Sequence, residues 1–182
     1  MLINLKNKKM LIAGIQGTGK TYLAKFLSKP FKTMVYTPYL EEWKDEKVVL
    51  VRYKDFVQDY PFWCSQAIKF AKAKKINLFI TDDADILFRH HFDTSQELRE
   101  MVIGHRHYGL ALIFVTRRIQ DIPTRIYGIM EFFALFTIEE PNAIAKLNQF
   151  YDGLGDLVKS LPYKSYQFIL KEIGKKPVRC KV

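Results

Sequence analysis

Gly14-Ile15-Gln16-Gly17-Thr18-Gly19-Lys20-Thr21 is the stretch that most restricts what this chain can fold into. It fits the pattern G-x-x-x-x-G-K-[ST] at every fixed position. Before it, Lys9-Met10-Leu11-Ile12-Ala13 is a short apolar run that reads as a buried strand. After it, Tyr22 to Ser28 is free of Gly and Pro and places Leu23, Phe26 and Leu27 at helical spacing. Strand, glycine loop and helix in that order is the setting in which such a loop wraps an anion.

The chemistry follows from the residue types. Gly14, Gly17 and Gly19 allow positive φ, so consecutive N–H groups, those of Gln16 and Thr18 included, can turn inward around phosphate oxygens. The start of the next helix adds partial positive charge at the same place. Lys20 is placed to reach the β- and γ-phosphates, and Thr21 to offer its hydroxyl to Mg²⁺. The loop therefore implies a nucleoside triphosphate ligand, ATP with Mg²⁺.

A chain of 182 residues with 48% hydrophobic and 14% aromatic residues is expected to fold as one domain, residues 1–182, with basic extensions at 1–9 and 171–182. No apolar run approaches the length of a membrane span, and Met1 to Lys6 does not read as a signal peptide. Cys64 and Cys180 are far apart and match no metal-ligand spacing, which suits a reducing compartment. A net charge of +10 favours polyanionic partners, nucleic acid first and an anionic membrane surface second. The lysine clusters at 6–9, 69–75 and 171–181 read as solvated faces available to nucleic acid.

Strands are expected at Thr33–Thr37, Val48–Val51, Asn77–Thr81, Leu110–Val115, Phe132–Phe136 and Tyr166–Leu170, with Glu41 to Lys47 a charged turn. Phe62 to Lys75 reads as an amphipathic helix with Trp63, Ala67, Phe70 and Ala71 on its apolar side. Thr94 and Glu97 have capping-box spacing and open a helix to about His107, and Pro141 to Tyr151 fits a further helix. Strands alternating with helices indicate an α/β fold with a mainly parallel central sheet and the nucleotide outside the strands' carboxyl ends.

Asp82 and Asp83 end the buried run Leu78-Phe79-Ile80. Two carboxylates there need a cation, and the loop would bring Mg²⁺ to the same edge. Asp82 is then the metal-holding aspartate and Asp83 the group that orients and deprotonates the attacking water. Asp85 reads as a solvated or capping residue. Arg99 and Arg106, seven apart on one helix face, are candidates to reach a neighbouring subunit's nucleotide. His90, His91, His105 and His107 lack the spacing of a metal site and read as surface or interface residues.

Taken in order, Gly14–Thr21, Leu78 to Asp85 and His105-Arg106-His107-Tyr108-Gly109-Leu110 to Thr116 resemble the FtsK–HerA superfamily of DNA-pumping ATPases. The small size is similar to the genome-packaging ATPases of membrane-containing icosahedral viruses. Thr116 to Pro123 and Leu161-Pro162 to Leu170 also resemble stretches of that family. The resemblance implies a RecA-like core, a homo-oligomeric ring (pentamer or hexamer), hydrolysis at subunit interfaces and force on double-stranded DNA. It further implies capsid-vertex or membrane proteins as partners, and a place in the host cytoplasm or the virion. Lys20, Thr21 and Asp82 match the family's positions, and Arg106 matches its trans-acting arginine, with Arg99 in reserve. Two positions depart from the pattern. Asp83 stands where glutamate is usual, and Arg117 stands where a sensor glutamine is usual, so it can contact the γ-phosphate without positioning water in the same way. A small-molecule kinase of the nucleoside monophosphate type, with Arg117 to Arg125 as its lid, is one competing expectation. A nucleotide-gated DNA-binding or assembly protein with little turnover is the other.

Overall fold

The computed structural model describes residues 3–182. Eight strands form one sheet in the order β3-β2-β4-β5-β1-β6-β7-β8. They are β1 (Lys9–Ala13), β2 (Thr33–Tyr36), β3 (Val48–Leu50), β4 (Leu78–Thr81), β5 (Ala111–Thr116), β6 (Phe132–Leu135), β7 (Gln167–Glu172) and β8 (Val178–Lys181). The six strands from β3 to β6 in that order run parallel, while β7 and β8 are antiparallel additions at one edge. This is the α/β, mainly parallel sheet expected from the sequence.

The central strands are buried on both faces, which is why they read as unbroken apolar runs. Met10, Ile12, Ile80, Ile113 and Val115 point to one face, where Leu23, Ala24 and Leu27 of α1 (Lys20–Ser28) cover them. Leu11, Ala13, Phe79, Leu112, Phe114 and Phe133 point to the other. That face is packed by α3 (Tyr60–Lys72), α4 (Ala84–His91), α5 (Gln96–Gly104), α7 (Pro141–Phe150) and α8 (Leu154–Lys159). Two one-turn helices, α2 (Leu40–Trp43) and α6 (Thr124–Tyr127), complete the connections.

Several local expectations are corrected. The charged turn at 41–47 begins inside α2, because Trp43 is fully buried and pulls the chain inward. The buried stripe of α3 is Tyr60, Cys64, Ala67, Ile68 and Ala71, with Trp63 and Phe70 flanking it, so the apolar face is rotated by about one residue. The cap of α5 is Ser95, not Thr94: Ser95 Oγ accepts from the Leu98 N–H at 3.1 Å and donates to Glu97 at 2.9 Å. Asp85 is neither solvated nor a cap but lies buried in the first turn of α4. The basic residues 171–182 extend the sheet through the end of β7 and β8, and Lys9 begins β1, 7% exposed.

Candidate active site

The loop after β1 takes the conformation its glycines permit, with φ of +153° at Gly14, +76° at Gly17 and +106° at Gly19. Space restricts two of these positions as well. A Cβ on Gly14 would lie 2.6 Å from Phe136 Cβ, and one on Gly19 would lie 2.9 Å from the Tyr166 ring. The loop is pinned to the end of β6 by the Ile15 N–H donating to the Thr137 carbonyl at 3.1 Å. The Ile15 carbonyl accepts from both Thr18 Oγ1 and Lys20 Nζ, each at 2.8 Å. Burial, and then the nearby Arg117 guanidinium, lower the Lys20 ammonium to about 8 against the pull of three aspartates.

Strands β4 and β5 bring the remaining groups to the same edge. The Asp82 N–H donates to the Tyr36 carbonyl at 2.9 Å, which fixes Asp82 just past the end of β2. Its Oδ1 accepts from the Asp83 N–H at 3.0 Å and its Oδ2 from Thr37 at 3.4 Å. Burial and the neighbouring Asp83 raise the Asp82 carboxyl to about 6. Asp83 sits in the left-handed region at φ +48°. Its Oδ2 accepts from Tyr39 at 2.8 Å, and Arg117 Nε stands 3.5 Å from its Oδ1. Arg117 also donates to the Tyr39 hydroxyl and stacks over that ring, 5.2 Å from its centre.

Between these groups opens a cleft of about 380 Å³, walled by Gly17, Lys20, Thr21, Asp82 and Arg117, with Tyr22, Tyr39 and Tyr166 also lining it. It combines the backbone of the glycine loop, the Lys20 and Arg117 cations and the buried Asp82 carboxylate, groups that complement a polyphosphate with a hard divalent ion. Thr21 and Asp82 supply oxygen donors to one cleft, and Asp82 is buried without a formal ion-pair partner among the described residues. That donor set fits Mg²⁺, which takes few protein ligands and completes its shell with phosphate and water.

Of the residues singled out in the sequence, Gln16, Gly17, Gly19, Lys20, Thr21, Asp82 and Arg117 line this cleft. Gly14 and Thr18 shape the loop, and Asp83 adjoins the cleft through Tyr39 and Arg117. Arg106 is not brought here. It lies in the 3₁₀ turn His105–Tyr108 before β5, at the opposite edge of the sheet, and pairs with Glu131. Arg99 lies exposed on α5, away from the cleft. Among the described residues no cluster of His, Cys, Asp or Glu suited to a metal occurs; His105 is buried and His91 bonds to the Val57 carbonyl at 2.6 Å.

Sequence reasoning missed Tyr39, which joins Asp83 to Arg117, and the pair Asp85–Thr116. Thr116 Oγ1 donates to Asp85 at 2.6 Å and accepts from the Arg118 N–H at 3.1 Å, so a buried carboxylate on α4 shapes the turn that carries Arg117. The available signal was positional: Tyr39 follows the second strand, Thr116 ends the fifth, and parallel strands present these ends together.

The profile of the family "ATPase family associated with various cellular activities (AAA)" matches residues 10–138. The chain belongs to that family, and it is a P-loop ATPase. Comparison with curated proteins finds no match. Among solved structures it is similar to the genome-packaging NTPase B204 of Sulfolobus turreted icosahedral virus 2 in complex with AMPPCP, at 19% identity and a TM-score of 0.82 over 98% of each chain. It is equally similar to B204, the DNA-packaging ATPase from Sulfolobus turreted icosahedral virus, at 20% identity and a TM-score of 0.81 over 98% of each chain. The cytoplasmic domain of the type VII secretion ATPase EccC from Thermomonospora curvata shares 13% identity at a TM-score of 0.63, covering 97% of this chain and 25% of that one.

Proposed function

We propose that this chain is the ATP-hydrolysing subunit of a double-stranded DNA translocase of the FtsK–HerA type, working as a ring of copies in viral genome packaging. The observation that carries this reading is the end-to-end likeness to a DNA-packaging ATPase, 98% of each chain, around a cleft suited to a triphosphate.

In this reading the glycine loop wraps the phosphates, and Lys20 leaves the Ile15 carbonyl for the β- and γ-phosphate oxygens. Thr21 and Asp82 would hold Mg²⁺, which would supply positive charge against the triphosphate. Asp83 takes a proton from the attacking water once Tyr39 and Arg117 release it, and Arg117 offsets charge on the γ-phosphoryl group. Arg106, which lies away from the cleft of its own chain, acts in this reading on the nucleotide of a neighbouring copy.

A second reading, a nucleotide-gated DNA-binding protein with little turnover, draws on Asp83 having both oxygens engaged by Tyr39 and Arg117. The deciding experiment is the rate of phosphate release with and without double-stranded DNA, on samples whose assembly state is set by light scattering. DNA-stimulated hydrolysis in the assembled form is expected. ATP-dependent DNA binding with negligible release would favour the second reading. Transfer of phosphate to a nucleoside monophosphate without DNA stimulation would overturn both.

A further inference from the structure

The opposite edge of the sheet, where β2, β4 and β5 begin, carries another cleft, of about 560 Å³. Lys32 stands before β2, Lys72 and Lys74 at the end of α3, and His107 before β5; all four are exposed and line this cleft with Asn77 and Tyr108. No acidic side chain lines it. Among the described residues, none of Lys32, Lys69, Lys72, Lys74 and Lys75 enters a salt bridge, whereas Arg89, Arg106, Arg117, Arg118 and Arg125 each face a carboxylate. The lysines that line this cleft are therefore left without an ion-pair partner among the described residues.

The walls are fixed by the fold. The Lys32 N–H donates to Asn77 Oδ1 at 2.8 Å and the Asn77 N–H to the Lys32 carbonyl at 2.9 Å, which ties the entrances of β2 and β4 together. Lys72 Nζ rests 4.8 Å from the centre of the Tyr108 ring, and Tyr108 is anchored by Glu100 at 2.7 Å. The cations continue along the same edge to Lys8 before β1 and to Lys176, which line a neighbouring cleft with the ion pair Lys175–Glu172. From β2 to β1 the edge spans three strand spacings, roughly 14 Å. Duplex DNA carries about eight phosphates over that length. An array of this extent suits a polyanion rather than a single phosphate. The apolar members of the cleft, Ala71 and Ile76, are buried, so they offer nothing to insert into a lipid layer.

We infer that this edge, with Lys32, Lys72, Lys74 and His107 at its centre, grips the phosphate backbone of double-stranded DNA. The inference rests on the DNA-translocase reading and locates its grip. The three strands that begin at this cleft lead to the candidate nucleotide cleft: β2 from Lys32 to Thr37 and Tyr39, β4 from Asn77 to Asp82 and Asp83, and β5 from Gly109 to Thr116 and Arg117. Buried, hydrogen-bonded strands thus connect the two sites directly.

The test compares wild type with Lys72→Ala/Lys74→Ala and Lys72→Arg/Lys74→Arg, using fluorescence anisotropy on a labelled DNA duplex across a salt series. Binding of an ATP analogue and pelleting with phosphatidylserine vesicles are measured on the same samples. The alanine pair is expected to weaken duplex binding at least tenfold and to lower the salt slope by about 0.9 for each lysine that contacts a phosphate. The arginine pair should keep wild-type duplex binding, and analogue affinity should stay unchanged in both. Duplex binding that is unaltered in the alanine pair would overturn the inference while leaving the DNA reading intact. So would loss of vesicle binding alone. A wild type that binds no duplex at all would overturn both.

Discussion

Arg117 Nε stands 3.5 Å from Asp83 Oδ1 within one chain, and Tyr39 contacts both residues. An arginine and the candidate base are thus coupled before any neighbour is considered. Arg117→Ala frees Asp83 but removes a cation from the γ-phosphate side. Loss of one preorganised charge of this kind lowers turnover by roughly 10²–10³. That fall should be independent of protein concentration in phosphate-release assays. Arg106→Ala, by contrast, should lower turnover only under conditions where the protein is assembled. Loss of its exposed pair with Glu131 should change stability by no more than about 1 kcal/mol.

Lys20→Ala should abolish most hydrolysis and weaken triphosphate binding, read by phosphate release and by titration with a fluorescent ATP analogue. Unchanged turnover would defeat the site assignment.

The buried Asp82 makes a pH-dependent stability prediction. Its carboxyl is held up at about 6, above its ordinary value, so the folded chain binds this proton more tightly than the unfolded chain does. The ionised form therefore costs stability above about pH 6; the cost fades as pH falls through that value and is gone below about 4. A shift of this size corresponds to something on the order of 3 kcal/mol. Asp82→Asn should raise the Tm of nucleotide-free, EDTA-treated protein at pH 7, lose that advantage near pH 4, and hydrolyse no ATP. An equal Tm for the two proteins at pH 7 would contradict the burial argument.

Steric limits at the glycine loop can be separated from conformational ones. At Gly14 an added Cβ meets Phe136 Cβ at 2.6 Å, whereas at Gly17 the nearest atom is the Lys164 side chain at 3.8 Å. Both carry positive φ, so both alanine variants bear strain of roughly 1–3 kcal/mol. Gly14→Ala should lose more stability than Gly17→Ala in chemical denaturation, because only it also collides. Gly19→Ala should be partly rescued by Tyr166→Ala, which removes the ring at 2.9 Å.

Asp85→Ala should cost about 1–3 kcal/mol by leaving the Thr116 hydroxyl without its buried acceptor. It should also lower turnover through the displaced turn at Arg117. A stability loss with wild-type kcat would limit Asp85 to packing.

Gly14–Thr21, the buried runs of β1, β4, β5 and β6, and Asp82 at a strand end were legible in the sequence. Each is a local property: glycine's access to positive φ, the apolar content of a strand covered on both faces, a charge just past such a strand. Local patterns were misread where packing overrode them, as where buried Trp43 turned a charged loop into α2 and where Ser95 displaced Thr94 as the cap. Strand order is not a local property, because it is set by which long-range pairings bury the most surface. Only the tertiary structure could bring Tyr39, Asp83 and Arg117, from the segments that follow β2, β4 and β5, to one point. The same order sends Arg106 to the far edge and gathers Lys32, Lys72, Lys74 and His107, scattered along the chain, around a single cleft.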